Sequence, residues 1–177
     1  SFEVGGFTQV NAKLNNLMVK RAMDLLQPSP GERITDLFCG LGNFTLPIAR
    51  SGAQVLGVEG LLDLVSRAKQ NAVANHCQGY VDFRVADLFK VNHSALDDWC
   101  NVDKVLLDPP RAGAHAVIEM LTQARRLQRI VYISCNPATF VRDAALLVRK
   151  GYRFKSLGVM NLFSQTAHIE SIGCFEG

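Results

Sequence analysis

A chain of 177 residues, 48% hydrophobic and 20% charged, is long enough to bury one sizeable core and needs no second domain. Its formal net charge of +3 permits an anionic partner without naming one. No apolar run is long enough to span a bilayer and no signal-peptide pattern opens the chain. The five cysteines (Cys39, Cys77, Cys100, Cys135, Cys174) are scattered and never form a C-x-x-C pair, so neither a disulfide framework nor a metal-ligand set is visible. A cytoplasmic protein is expected. Because the chain opens at Ser1 rather than Met, a piece of a longer protein is expected too.

In chain order, a short extended stretch over residues 7–10 precedes Asn11, which reads as a helix cap. Leu14, Leu17, Met18, Met23, Leu25 and Leu26 then recur mostly at helical spacing, until Pro28, Pro30 and Gly31 end the helix. Gln9 stands just ahead of that helix, where its amide is a candidate ligand contact. Residues 34–38 read as a buried strand and residues 45–50 as the opening of a helix, with Cys39-Gly40-Leu41-Gly42-Asn43-Phe44 between them. Gly40 and Gly42 let the backbone turn tightly and approach a ligand, and a helix N-terminus presents unpaired N–H groups, so the three parts make a nucleotide cradle. A dinucleotide fingerprint asks for a third glycine at position 45. Thr45 stands there, which argues against a nicotinamide or flavin site.

Residues 54–58 read as a second buried strand ending at Glu59, about 20 residues past the glycine turn, where α/β nucleotide sites place a carboxylate on the ribose hydroxyls. Residues 61–75 read as an amphipathic helix with Leu61, Leu62, Leu64, Val65, Ala68, Ala72 and Val73 on its core side. Residues 80–86 are a third strand. Asp87 directly after it is either a turn residue or an acceptor for an adenine amino group. Residues 93–100 carry no evident chemistry, and Trp99 reads as a core or lid aromatic. Residues 104–107 are a fourth strand, ending in Asp108-Pro109-Pro110-Arg111, whose prolines stiffen the loop and aim Asp108 at the crevice beyond the strand ends.

Residues 116–127 read as a helix with Arg125, Arg126 and Arg129 near its end, a solvated face before a phosphate contact. Residues 129–133 form a fifth strand, followed by Ser134-Cys135-Asn136-Pro137 and a helix over 138–150. Asn136 suits the N-cap and Pro137 the first helical position. The Cys135 thiol is therefore expected at a helix N-terminus with its pKa depressed below about 8.5, which makes it the nucleophile candidate. Cys39 is its rival, although a small side chain inside the glycine turn is explained by packing. Residues 151–159 and 167–175 are the last two strands, and His168 and Glu170, two apart, face one side of the seventh.

The glycine stretch resembles the first motif of class I S-adenosylmethionine-dependent methyltransferases. The whole pattern resembles their α/β, Rossmann-like fold, with a seven-stranded, mostly parallel sheet and an antiparallel last strand. Five motifs in order resemble the RNA (uracil-5-)-methyltransferase family over essentially the whole chain: Phe7-x-Gln9-Val10-Asn11, Asp36-Leu37-Phe38-Cys39-Gly40-x-Gly42-Asn43-Phe44, Leu107-Asp108-Pro109-Pro110-Arg111-Ala112-Gly113, Ser134-Cys135-Asn136-Pro137 and His168-x-Glu170. The contexts Val58-Glu59-Gly60 and Cys135-Asn136-Pro137-Ala138-Thr139 look most like the branch that modifies a uridine of bacterial 23S ribosomal RNA.

The resemblance implies that Gln9, Phe38, Gly40, Asn43, Glu59, Asp87 and Asp108 hold S-adenosyl-L-methionine. It also implies that Cys135 is the nucleophile, that Glu170 is the base, and that Asp108 and Arg111 read the uridine. Arg111 replaces the aromatic residue of the related D/N-P-P-aromatic motif, which argues against methylation of an exocyclic amine. The expected partner is ribosomal RNA, bound by a monomer. Family members also carry an N-terminal RNA-binding β-barrel, and this branch a cysteine-bound 4Fe–4S cluster ahead of the catalytic domain. Residues 1–177 are then expected to be the catalytic domain alone, without metal. A transfer RNA uridine-C5 methylase and a non-catalytic fragment that merely holds the cofactor are the alternatives.

Overall fold

The computed structural model describes residues 12–90, 99, 101–121, 127–161 and 169–177. Gln9, the Asn11 cap, Cys100, Arg125, Arg126 and His168 lie outside them. The elements are, in order, α1 (Ala12–Leu26), β1 (Arg33–Leu37), α2 (Thr45–Ala49), β2 (Gln54–Glu59), α3 (Leu62–Ala74), β3 (Val81–Val85), β4 (Lys104–Leu107), α4 (His115–Leu121), β5 (Arg129–Ser134), α5 (Pro137–Arg149), β6 (Arg153–Asn161) and β7 (Ile169–Glu176).

The apolar runs of the sequence decide which strands sit in the middle. All four residues of β4, the last four of β1 and the last five of β5 are buried, as strands covered on both faces must be. The sheet order is β3-β2-β1-β4-β5-β7-β6. The pairs from β3 through β5 are parallel, while β7 runs antiparallel between β5 and β6. The chain therefore builds outward from β1 to β3, then crosses back to lay β4 on the other side of β1. That reversal opens a crevice beyond the carboxyl ends of β1 and β4, where α/β sheets bind ligands.

Two apolar layers hold the sheet. Met18, Ala22 and Leu26 line one stripe of α1 and pack with Ile34, Phe44, Ile48, Val131 and Ile133 on one face; Leu37, Leu107, Tyr132, Phe140 and Phe175 pack with Trp99 on the other. Each buried Leu, Ile or Phe there contributes about 1.5–3 kcal/mol relative to exposure. Trp99 is thus a core residue, one of the two places the sequence left open for it. At α5, Asn136 accepts from the Ala138 N–H at 3.1 Å and Pro137 takes the first helical position.

Three expectations need correction. Leu61, Leu62 and Val73 are 62, 65 and 58% exposed, because α3 packs over β2 and β3 through Val65, Ala68 and Ala72, against Cys39 and Phe83. Arg129 is not on a solvated face: at the start of β5, where the sequence also placed a strand, its guanidinium donates to Leu25 O (2.9 Å), Gln27 Oε1 (2.6 Å) and Glu176 Oε1 (3.1 Å), tying α1 to both strands. β6 starts and ends two residues later than the sequence placed it, with an irregularity between Phe154 and Ser156. No helix among the described residues is long and apolar enough to cross a membrane.

Candidate active site

The cradle begins with Asp36, a charged residue inside an otherwise apolar strand and fully buried. The Thr45 hydroxyl donates to its Oδ2 at 2.6 Å, while Oδ1 has no partner among the described residues. Burial pushes the Asp36 carboxyl up to about 7, with Thr45 opposing and the Glu59 charge adding to the rise. Thr45, the departure from the dinucleotide fingerprint, is therefore the partner that this acid requires. Phe38 follows at φ +64°, a left-handed conformation that strains a non-glycine residue by about 1–3 kcal/mol and that fixes its ring 5.6 Å from Phe89.

Gly40 (φ +54°) and Gly42 (φ +88°) then make the turn, and nothing lies within 4 Å of where a Cβ on Gly40 would stand. The Gly40 N–H donates to Glu59 Oε2 at 3.1 Å, and Glu59 Oε1 accepts from Gly60 N (2.8 Å) and Leu61 N (3.1 Å). Glu59 is thereby locked between the glycine turn and the start of α3, where the helix dipole favours a carboxylate. Asn43 exchanges two 3.0 Å amide hydrogen bonds with Asn15 of α1, so the turn is also pinned from below. Asp87 is exposed and accepts from the Phe89 N–H at 2.9 Å, a local turn that sets the Phe89 ring beside Phe38.

Across the crevice, Asp108 follows β4 and its N–H donates to Leu37 O at 3.3 Å. Part of Asp108 reaches the surface, yet the protein packed around it and the charges of Glu170 and Asp36 push its carboxyl up to about 7. In the antiparallel register Ser134 faces Ser171, which brings Cys135, one residue on, beside Glu170, one residue back. Burial raises the Glu170 carboxyl above its ordinary value.

The Cys135 thiol is raised as well, not depressed as its sequence position implied. Burial is the largest cause, followed by the Glu170 charge; Arg111 and then the Cys135 backbone oppose both, and Asp108 adds a little. The helix end offsets little of this, because Pro137 has no N–H and the Ala138 N–H is taken by Asn136. Cys39 is buried, and desolvation together with Asp36 and Glu59 pushes its thiol far above the usual range, so it is no rival nucleophile. Cys77 and Cys174 are buried. Among the described residues no group of three or more His, Cys, Asp and Glu is placed to hold a metal.

The fold thus brings Phe38, Gly40, Asn43 and Glu59 to one wall of the crevice and Asp108, Cys135 and Glu170 to the other, with the Arg111 charge acting on the thiol. Asn15, Thr45 and Phe89 are added to the list, and so is Asp36 as a buried acid. An acid within an apolar strand was a legible signal for Asp36; nothing in the pattern distinguished Asn15 or Phe89.

A sheet of order 3-2-1-4-5-7-6 with antiparallel β7 and a glycine turn after β1 is the class I methyltransferase fold. The chain belongs to the RNA (uracil-5-)-methyltransferase family: the family model described as tRNA (Uracil-5-)-methyltransferase matches residues 1–175. It is 54% identical over 176 residues to the 23S rRNA (uracil(1939)-C(5))-methyltransferase RlmD of Azoarcus sp. (strain BH72), covering 99% of this chain and 41% of that protein. It is 56% identical over 171 residues to the RlmD of Acidithiobacillus ferrooxidans, covering 96% and 38%. The chain spans about two fifths of the length of these curated relatives. Among solved structures it is similar to the tRNA (uracil-54, C5)-methyltransferase of Pyrococcus abyssi in complex with S-adenosyl-L-homocysteine. The TM-score is 0.82 at 30% identity, over 97% of this chain and 40% of that one. Magnesium protoporphyrin IX methyltransferase of Synechocystis shares the fold alone, at 20% identity and TM-score 0.72 over 99% of this chain and 89% of that one.

Proposed function

We propose that residues 1–177 form the catalytic domain of a cytoplasmic enzyme that methylates C5 of a uridine in 23S ribosomal RNA with S-adenosyl-L-methionine. The observation that carries this reading is the meeting of Cys135, Glu170 and Asp108 on one side of the crevice, opposite the glycine cradle. Ribosomal rather than transfer RNA is favoured by the 50–56% identity to proteins named for the former, against 30% to the archaeal protein named for the latter.

The residues of the cradle fit an adenosyl ligand. Asp36 Oδ1 lacks a partner among the described residues, open space adjoins Gly40, and Glu59 is held rigid for ribose hydroxyls. The tilted Phe38–Phe89 pair offers an apolar wall for a base. Gln9, Phe38, Gly40, Asn43, Glu59, Asp87 and Asp108 are the assigned holders. When bound, the cofactor supplies an electrophilic methyl group to C5 of the uracil.

The chain's own part starts with a flipped-out uridine, since neither C5 nor C6 is reachable in a stacked helix. Cys135 gives up its proton, the thiolate adds to C6, and the electron pair of the C5=C6 bond moves onto C5 and the C4 carbonyl. A thiolate of raised pKa is less abundant at neutral pH but intrinsically more nucleophilic, and Arg111 offsets part of the ionisation penalty. After C5 carries the methyl group, Glu170 removes the C5 proton, the C5=C6 bond re-forms and the Cys135 thiolate leaves. A carboxylate with a raised pKa is a better base for that step. Asp108, near 7, donates when protonated and accepts when ionised, which suits a polar uracil edge shared with Arg111.

The test uses full-length protein and RNA carrying 5-fluorouridine, which has no C5 proton to lose. A denaturation-stable complex is expected with the wild type and none with Cys135→Ala. Equal trapping by both proteins would falsify the nucleophile assignment. Labelled methyl transfer to unmodified 23S RNA and to transfer RNA separates the two substrates, with incorporation expected only in the former.

A further inference from the structure

We infer that Asp143 is the positioning residue that sets the Asp108–Arg111 loop against Cys135, an inference that rests on Cys135 being the nucleophile. Asp143 lies in α5 and is fully buried. Its Oδ2 accepts from the Tyr132 hydroxyl and from the Ala114 N–H, both at 2.8 Å; its Oδ1 accepts from Arg142 Nε at 2.8 Å, with His115 Nδ1 3.8 Å away. A buried carboxylate is costly unless its oxygens are satisfied, and here the donors come from β5, from the segment that follows the Asp108 loop, and from α5 itself.

The grip continues along the same helix. Asn136 Nδ2 and Thr139 Oγ1 donate to Arg111 O at 3.1 and 3.3 Å, and Arg142 Nη2 donates to Ala112 O at 3.0 Å. Backbone groups of residues 111, 112 and 114 therefore all end on the first two turns of α5, and Cys135 is the residue immediately ahead of that helix's cap. The approach is so close that a Cβ on Gly113, at φ +79°, would stand 2.6 Å from Asp143 Oδ2, which leaves glycine as the residue that fits. Nucleophile and substrate-facing loop are thus built on one clamp.

The chemical consequence runs through Arg111. Among the described residues, the charged groups acting on the Cys135 thiol are Glu170 from β7, and Asp108 and Arg111 from the loop after β4; of these charges Arg111 alone favours the thiolate, with a smaller contribution from the Cys135 backbone. Loosening the clamp lets that charge recede, so the thiol should ionise at higher pH while the cradle, built on β1, β2 and α1, is untouched.

The experiment compares full-length wild type, Asp143→Asn and Tyr132→Phe in three measurements: trapping rate on 5-fluorouridine RNA, affinity for S-adenosyl-L-homocysteine, and the pH dependence of Cys135 alkylation by iodoacetamide, read on the Cys135 peptide. Trapping at least tenfold slower in Asp143→Asn and about threefold slower in Tyr132→Phe is expected. Cofactor-product affinity should stay within twofold, and both alkylation profiles should move to higher pH. Wild-type trapping and alkylation in folded variants overturns the inference, as does a loss of affinity equal to the loss of trapping, which marks a general folding role. If Asp143→Asn does not fold, the alkylation profile of Tyr132→Phe decides. A wild type that does not trap overturns the nucleophile reading, while the alkylation shift still reports on the clamp.

Discussion

At the edge where its parallel strands begin and antiparallel β7 ends, the sheet carries matched charges. Lys104, with its side chain 8% exposed, donates to Glu32 Oε2 at 2.7 Å and to Gln27 O at 2.6 Å, and Glu176 meets Arg129 (3.1 Å), Arg153 (2.8 Å) and Lys155 (3.4 Å). At the edge where the parallel strands end and β7 begins the balance is reversed: Asp36, Asp108 and Glu170 gather with Cys135, and all four are pushed upward, Asp36 and Asp108 to about 7. The contrast separates two uses of the same side chains. Where each buried charge has a partner it joins elements; where carboxylates crowd with little cationic compensation they store proton affinity, which is what acid–base work at a crevice uses.

Breaking the crevice end should give the largest effect. Glu170→Gln removes the base and the strongest negative charge acting on Cys135, so turnover on RNA should fall about 10²- to 10⁴-fold while methyl transfer still occurs and product release stalls. The same substitution should speed iodoacetamide alkylation of Cys135 at neutral pH, because the charge that raises its pKa is gone. Slower alkylation in this variant would show that another group sets the thiol's ionisation.

Breaking the opposite end should cost stability and leave the chemistry alone. Lys104→Met removes the ion-pair partner of Glu32; since the Glu32 side chain is 21% exposed and keeps the Ser29 N–H as a donor at 2.8 Å, a loss of about 2–3 kcal/mol is expected, below the full penalty for an orphaned buried charge. Urea denaturation measures it, and an altered pH profile of Cys135 alkylation would contradict the separation of the two ends.

The comparison sharpens in the pH dependence of stability. Asp36 is raised from an unfolded value near 4 to about 7 when folded, so the native state binds more protons in that window. Its stabilising contribution is present below the unfolded value and lost as pH rises through the folded one. Stability should therefore fall between pH 5 and pH 8, by roughly 2 kcal/mol from this group, and Asp36→Asn should flatten the curve. An equal slope in denaturation curves of both proteins sinks the assignment. The smallest effect belongs to Arg153→Ala: its side chain is 71% exposed, and removing such a surface pair changes stability by less than about 1 kcal/mol.

Much of this was written in the sequence. The apolar runs over β1, β4 and β5, the glycines at 40 and 42, Glu59 about one α/β unit later and the Asp-Pro-Pro loop each act through local backbone chemistry, so their places follow from spacing. The N-cap at Asn136 is local too, and it is where the structure finds it. What failed in the sequence reading failed for one cause: Leu61, Leu62 and Val73 have helical spacing but no layer to face, and Arg129 has three acceptors that are distant in the chain.

The ionisation of Cys135 makes the division sharpest. Sequence placed the thiol ahead of a helix and so predicted a lowered pKa, an argument from neighbours one to three residues away. Glu170 comes from a strand inserted beside β5, Asp108 and Arg111 from the loop after β4, and all three reach the thiol only once the sheet has assembled. The sequence by itself therefore determined the strands, the turn, the cap and the types of residue at the crevice. Tertiary structure decided their electrostatics, because desolvation and charge act through space, over distances that only packing defines.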